Sequence, residues 1–282
     1  MELLKEIFYF IMYSLLIVAI SKYILVTVLR RLAESLDLKA KTVGNIAGIA
    51  TSMPELLSVS FSAFAGLIGT SIYNILSSNI INFIQYILAI KLNNNIKKLN
   101  NKALKIDIFM VIISIVIPIL MLIFNIEVNI QMVPILILLF LLFYYINSNT
   151  HKLYLKKEES LEADIIEKEA RFIRKKKEKV IKYTVYLIVT GIGLFVIGNL
   201  LSDSLKNLCL QFNIPEFVIG IALGFITSLP ELITFFEAQK HHKNENSDLG
   251  VVEATNNLLT SNSLNLFFIQ SFGIVIYTIF RG

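Results

Sequence analysis

The chain has 282 residues, of which 55% are hydrophobic and 17% charged, and its mean hydropathy is +0.69. Soluble domains carry roughly 25% charged residues, whereas here apolar runs long enough for a ~30 Å hydrocarbon core recur from end to end, which excludes a soluble globular protein. The single Cys209 excludes an internal disulfide, three histidines (His151, His241, His242) without a second cysteine exclude thiolate zinc frameworks, and a net charge of +5 held in lysine-rich loops calls for no nucleic-acid partner.

The reading is therefore an all-α integral membrane protein, with eight transmembrane spans expected at about 7–29, 43–66, 69–90, 106–124, 130–149, 181–202, 215–237 and 251–280. The first span lacks an A-x-A cleavage site and reads as a retained helix. A bend or frayed end is expected in the last, near Gly273. Five spans form a first membrane half over 1–149. The charged segment 150–182 reads as a cytoplasmic linker, and about three spans form an abbreviated second half over 183–282. All Lys and Arg except Lys5, Lys22, Lys206 and Arg281 fall after the first, third, fifth or seventh span. The positive-inside bias makes that side cytoplasmic, so both termini are expected outside a cell membrane.

Self-similarity is the strongest signal along the chain. The stretch VGNIAGIATSMPELLS aligns without gaps on IGIALGFITSLPELIT, so that Thr51, Ser52, Pro54, Glu55 and Leu56 coincide with Thr227, Ser228, Pro230, Glu231 and Leu232. A second match follows each copy: NILSSNIINF from Asn74, and NLLTSNSLNLFF from Asn257. The copies, about 40–90 and 215–272, start an odd number of spans apart, which inverts one relative to the other in the membrane. Inverted repeats place a substrate site where the copies meet and let one bundle rock against the other.

Glu55 and Glu231 fall well inside their spans, where a carboxylate costs about 2.5 to 3.5 kcal/mol and has to face protein or a watery cavity. At helical spacing Thr51, Ser52 and Glu55 share one face, as do Ser78 and Asn82; Thr227, Ser228, Glu231, Ser261 and Asn265 repeat the pattern. Pro54 and Pro230 each deprive a carbonyl four residues back of its N–H, releasing the oxygens of Ala50 and Ile226. An all-oxygen set of carboxylates, hydroxyls, amides and carbonyls suits calcium or sodium. A structural alternative stands beside it: S-x-P-E also fits a capping box, in which Ser caps a helix and Glu reaches back. For Asn82 and Asn265 the alternative is hydrogen bonding between helices. Glu216 is expected outside the membrane, where replacement by Gln should leave transport near normal.

At these residues the sequence resembles the calcium/cation antiporter superfamily, sodium/calcium exchanger branch. Its alpha repeats carry G-T-S-x-P-E and G-N-x-x-G-S-N-x-x-N, here A-T-S-M-P-E with Y-N-I-L-S-S-N-I-I-N and I-T-S-L-P-E with N-N-L-L-T-S-N-S-L-N. The resemblance implies a sodium-driven calcium antiporter, not an enzyme. No cofactor is implied beyond the transported Ca2+ and Na+, which Thr51, Ser52, Glu55, Ser78, Asn82, Thr227, Ser228, Glu231, Ser261 and Asn265 would bind. Four motif glycines are replaced, by Ala50, Ile226, Ser77 and Thr260, which is expected to crowd the helix breaks. Members typically have ten spans, so a homodimer or helical partner is expected over the shortened second half, beside the lipid bilayer. Calcium/proton exchange and a transport-inactive membrane interaction protein are the competing functions.

Overall fold

The computed structural model describes residues 2–28, 49, 51–100, 102–124, 129–146, 176–241 and 247–281, and among these every regular element is helical. We number the helices α1 (Glu2–Ile20), α2 (Met53–Ala65), α3 (Ile68–Leu92), α4 (Lys102–Ile123), α5 (Met132–Ile146), α6 (Lys176–Lys206), α7 (Glu216–Thr227), α8 (Leu229–His241), α9 (Ser247–Ser263) and α10 (Gln270–Arg281). Wider π-helical turns continue α1 over Ser21–Val26 and α6 over Asn207–Gln211, and one over Leu264–Ile269 joins α9 to α10.

Among the described residues six stretches are long and apolar enough to cross a membrane: Glu2–Ile20, Ile68–Leu92, Leu104–Ile123, Ile188–Gln211, Glu216–Lys240 and Gly250–Arg281. Two of the eight expected spans differ. The fifth is the shorter α5, and the second is described only from its middle, where α2 occupies its latter half. The last span runs without a break through Gly273, which α10 buries against Val59. Most of the 150–182 linker, together with Ala50, lies outside the described residues.

Burial is inverted relative to a water-soluble protein. Leu4, Phe8, Phe109, Leu138, Ile192 and Phe195 are exposed on the outer helices, while Thr51, Glu55, Asn74, Ser78, Asn82, Glu231 and Asn265 are sealed inside. That is the distribution a bilayer imposes, with apolar surface toward lipid and polar groups against one another.

Local chemistry sets the central hairpin. Gly66, at φ +86°, ends α2: its N–H reaches Ala63 O and the Leu67 N–H reaches Ser62 O, a glycine-dependent stop that starts α3 two residues later. α3 then packs most extensively on α7. The contact needs Gly220 and Gly224, since a methyl group at 220 would lie 2.6 Å from Tyr73 Cβ and 2.7 Å from the Thr70 carbonyl oxygen. At 224 it would fall on Ser77 Oγ and come within 2.7 Å of the Asn74 carbonyl oxygen. Small residues one helical turn apart let two backbones approach in lipid. The serine at 77 therefore crowds nothing, because the facing glycine makes room for it and its hydroxyl bonds back to Tyr73 O at 2.7 Å.

Glu216 ties the two helices together at their ends. Its Oε2 accepts the Thr70 N–H at 2.8 Å, capping the first turn of α3 from the start of α7.

Candidate cation site

The two repeat copies meet around Glu55 and Glu231, both 0% exposed and within Coulombic reach of each other. Glu55 stands in the first turn of α2 and Glu231 in the first turn of α8. Both helices begin at the proline-marked break, because a proline interior to a helix cannot donate to the turn behind it. In the second copy the chain turns at Ser228, whose N–H bonds Gly224 O at 3.2 Å.

One hydroxyl from each repeat flanks each carboxylate. Thr227 and Ser78 lie beside Glu55, and Thr51 and Ser261 lie beside Glu231. Ser261 Oγ donates to Glu231 Oε1 at 3.0 Å and sits 2.9 Å from Ser52 Oγ. Ser78 Oγ lies 3.4 Å from Thr227 Oγ1, and Ser228 Oγ reaches Ser78 O at 3.5 Å. Asn82 Nδ2 faces Ser261 Oγ at 3.4 Å, so nine of the ten residues expected from sequence are joined in this way. The tenth, Asn265, enters through Asn79: its Nδ2 donates to Asn79 Oδ1 at 3.1 Å.

The capping-box alternative is not what these residues do. Ser52 occupies the N-cap position of α2 but its hydroxyl makes no capping bond, and neither Glu55 oxygen accepts a hydrogen bond. Glu231 Oε2, Asn82 Oδ1 and Asn265 Oδ1 are likewise buried without a donor. Buried acceptors are nearly always satisfied, so five such oxygens on equivalent residues of the two repeats stand out as uncommitted acceptors. The helix-bonding alternative for Asn82 and Asn265 holds at their nitrogens, while their oxygens remain unpartnered.

Among the described residues no three His, Cys, Asp or Glu cluster, so the site is one of two carboxylates among neutral oxygens. Such a set favours hard cations over zinc or copper. One turn past each glutamate an apolar cluster closes the interior. Past Glu55 it is Val59, Ile75 and Ile269; the equivalent residues past Glu231 are Phe235, Leu258 and Tyr86. The second is bulkier. Tyr86 and Phe235 meet edge to face at 5.8 Å, and the Tyr86 hydroxyl is 2.7 Å from Thr255 Oγ1.

Sequence reasoning passed over Asn74, Asn79, Asn257 and Asn262. Thr227 donates to Asn74 Oδ1 and Thr51 to Asn257 Oδ1, each at 3.5 Å. The signal was present, since all four stand at matching places in the two N-x-x-[ST]-S-N-x-x-N segments.

Comparison with known proteins accords with this geometry. The family described as "Sodium/calcium exchanger protein" matches residues 5–149 and 182–281. Two solved structures of the sodium-calcium exchanger NCX_Mj, soaked with 2.5 mM Na+ and 10 mM Sr2+ or with 10 mM Na+ and zero Ca2+, are similar to the chain. Each has a TM-score of 0.51 at 22% identity, over 97% of this chain and 83% of the other, a likeness of fold. Among curated proteins none matches.

Proposed function

Because the chain belongs to the sodium/calcium exchanger family, we propose that it is a secondary active antiporter exchanging calcium for sodium across the cell membrane by alternating access. The observation that carries this reading is the buried pair Glu55 and Glu231, three of whose four carboxylate oxygens accept no hydrogen bond among the described residues. Two anions sealed in an apolar bundle are costly unless counter-charge joins them. A single divalent ion or more than one monovalent ion supplies that charge, and competition between them for the same oxygens is the basis of exchange. Thr51, Ser52, Ser78, Asn82, Thr227, Ser228, Ser261 and Asn265 complete the proposed ligand set.

The same carboxylates can be neutralised by protons, so calcium/proton exchange is the second reading. Radioactive calcium uptake into vesicles holding the purified protein separates the two. Sodium-loaded vesicles diluted into sodium-free buffer should accumulate calcium, whereas a pH gradient imposed without sodium should not drive it. Uptake driven by the pH gradient alone replaces the first reading with the second. No uptake under either gradient, from protein that elutes as one species, favours a transport-inactive interaction protein.

Also proposed are the division into halves 1–149 and 183–282 about a cytoplasmic 150–182 linker, and termini outside. Association with a second copy or a helical partner is a further proposal, tested by the mass of the detergent-solubilised particle.

A further inference from the structure

We infer that Asn79 and Asn262 are positioning residues that turn the side-chain oxygens of Asn265 and Asn82 toward the transported cation. The inference rests on the cation-exchange reading above, and its evidence is a chain of hydrogen bonds whose polarity can be read from one end to the other.

An asparagine amide has one accepting and one donating end, and packing alone scarcely distinguishes them. Here a backbone carbonyl does. Asn79 Nδ2 lies 3.1 Å from the carbonyl oxygen of Asn262, which can only accept, so the nitrogen of Asn79 must face it. The other end of Asn79 is then Oδ1, which requires a donor and receives Asn265 Nδ2 at 3.1 Å. With its nitrogen so committed, Asn265 presents Oδ1 at its free end, and that oxygen is buried with no hydrogen-bond partner.

The other repeat runs the same sequence in reverse. Asn262 Nδ2 donates to the carbonyl oxygen of Asn79 at 3.1 Å, and Asn262 Oδ1 accepts Asn82 Nδ2 at 3.2 Å. Asn82 Oδ1 is left buried and unpartnered. Asn82 Nδ2 also faces Ser261 Oγ at 3.4 Å, which holds the nitrogen on the same side. All four asparagines are 0% exposed, so the network is closed to bulk solvent in this structure. Two backbone carbonyls, related by the repeat, thus determine that two amides offer oxygen and not NH2 to the site. An inward NH2 would repel a cation and cancel a ligand.

The test exploits the difference between an amide and a carboxylate. Calcium binding to the purified full-length protein in detergent is measured by titration calorimetry, with elution as a single species required of each variant. Asn79→Ala and Asn262→Ala should each weaken calcium binding about tenfold, the loss of one oriented ligand. A carboxylate presents oxygen whichever way it turns. Asn79→Ala should therefore have less than about a twofold effect in an Asn265→Asp background, yet keep its tenfold effect in an Asn82→Asp background; Asn262→Ala should show the reverse pairing. Should Asn79→Ala fail to fold, the Asn262 pair supplies the same comparison. Unchanged affinity in the alanine variants, or equal effects in matched and mismatched backgrounds, overturns the positioning role alone. Absence of calcium binding by the wild-type protein overturns the cation-site reading and this inference with it.

Discussion

Replacing Glu55 by Gln keeps the length of the side chain and one oxygen ligand while removing one negative charge. The structure makes the loss severe, because Glu55 is fully buried and neither of its oxygens is shared with a protein donor. At an effective dielectric of about 20, a unit charge ~3 Å from a divalent ion contributes on the order of 10 kcal/mol of gross attraction. Desolvation offsets most of that, and a net loss of only ~3 kcal/mol still weakens binding by about a hundredfold. The new NH2 group also cannot ligate a cation. Glu231→Gln should behave alike, although Ser261 can still donate to the Gln oxygen and so preserve that contact. We therefore expect either variant to abolish sodium-dependent calcium uptake in vesicles and to raise the calcium Kd at least a hundredfold. Glu237→Gln, an exposed change on the same helix α8, serves as the control and should transport normally. Glu216→Gln is a poor control, since Glu216 caps α3. A well-folded Glu55→Gln protein with wild-type affinity and flux would refute the paired-carboxylate site.

Three further outcomes are expected. In a Cys209→Ser background, Asn129→Cys should react with an impermeant thiol reagent in right-side-out vesicles while Ser160→Cys stays protected; labelling of Ser160→Cys from outside contradicts the inverted arrangement. Gly224→Ala should destabilise the protein by about 1–3 kcal/mol, read as a lower melting temperature in detergent, because its methyl group meets α3 backbone; Gly191→Ala, which has nothing within 4 Å, should not. Phe235→Ala should cost about 3–5 kcal/mol and Tyr86→Phe about 1 kcal/mol, since the first empties the bulkier apolar closure and the second removes only the bond to Thr255. Equal stability of all three Phe235, Tyr86 and wild-type proteins would show that this cluster does not hold the interior shut.

The membrane class and both repeat motifs were legible from sequence because they depend on properties of single residues and on spacing. Hydrophobic runs report the solvent they face, and a duplicated T-S-x-P-E is visible wherever it folds. What S-x-P-E does was not legible, because a capping box and an ion site demand the same local spacing. Only the packed molecule shows Ser52 turned toward Ser261 and Glu55 left without a donor, since the deciding partner lies 209 residues away. The same reason explains Ser77: read locally, a serine in place of glycine should crowd its helix, and the room it uses comes from Gly224 on another helix. The uncommitted oxygens of Asn82 and Asn265 are likewise a tertiary property. An amide has no preferred direction in a sequence; it acquires one when the carbonyls of Asn79 and Asn262 are brought against each other's side chains.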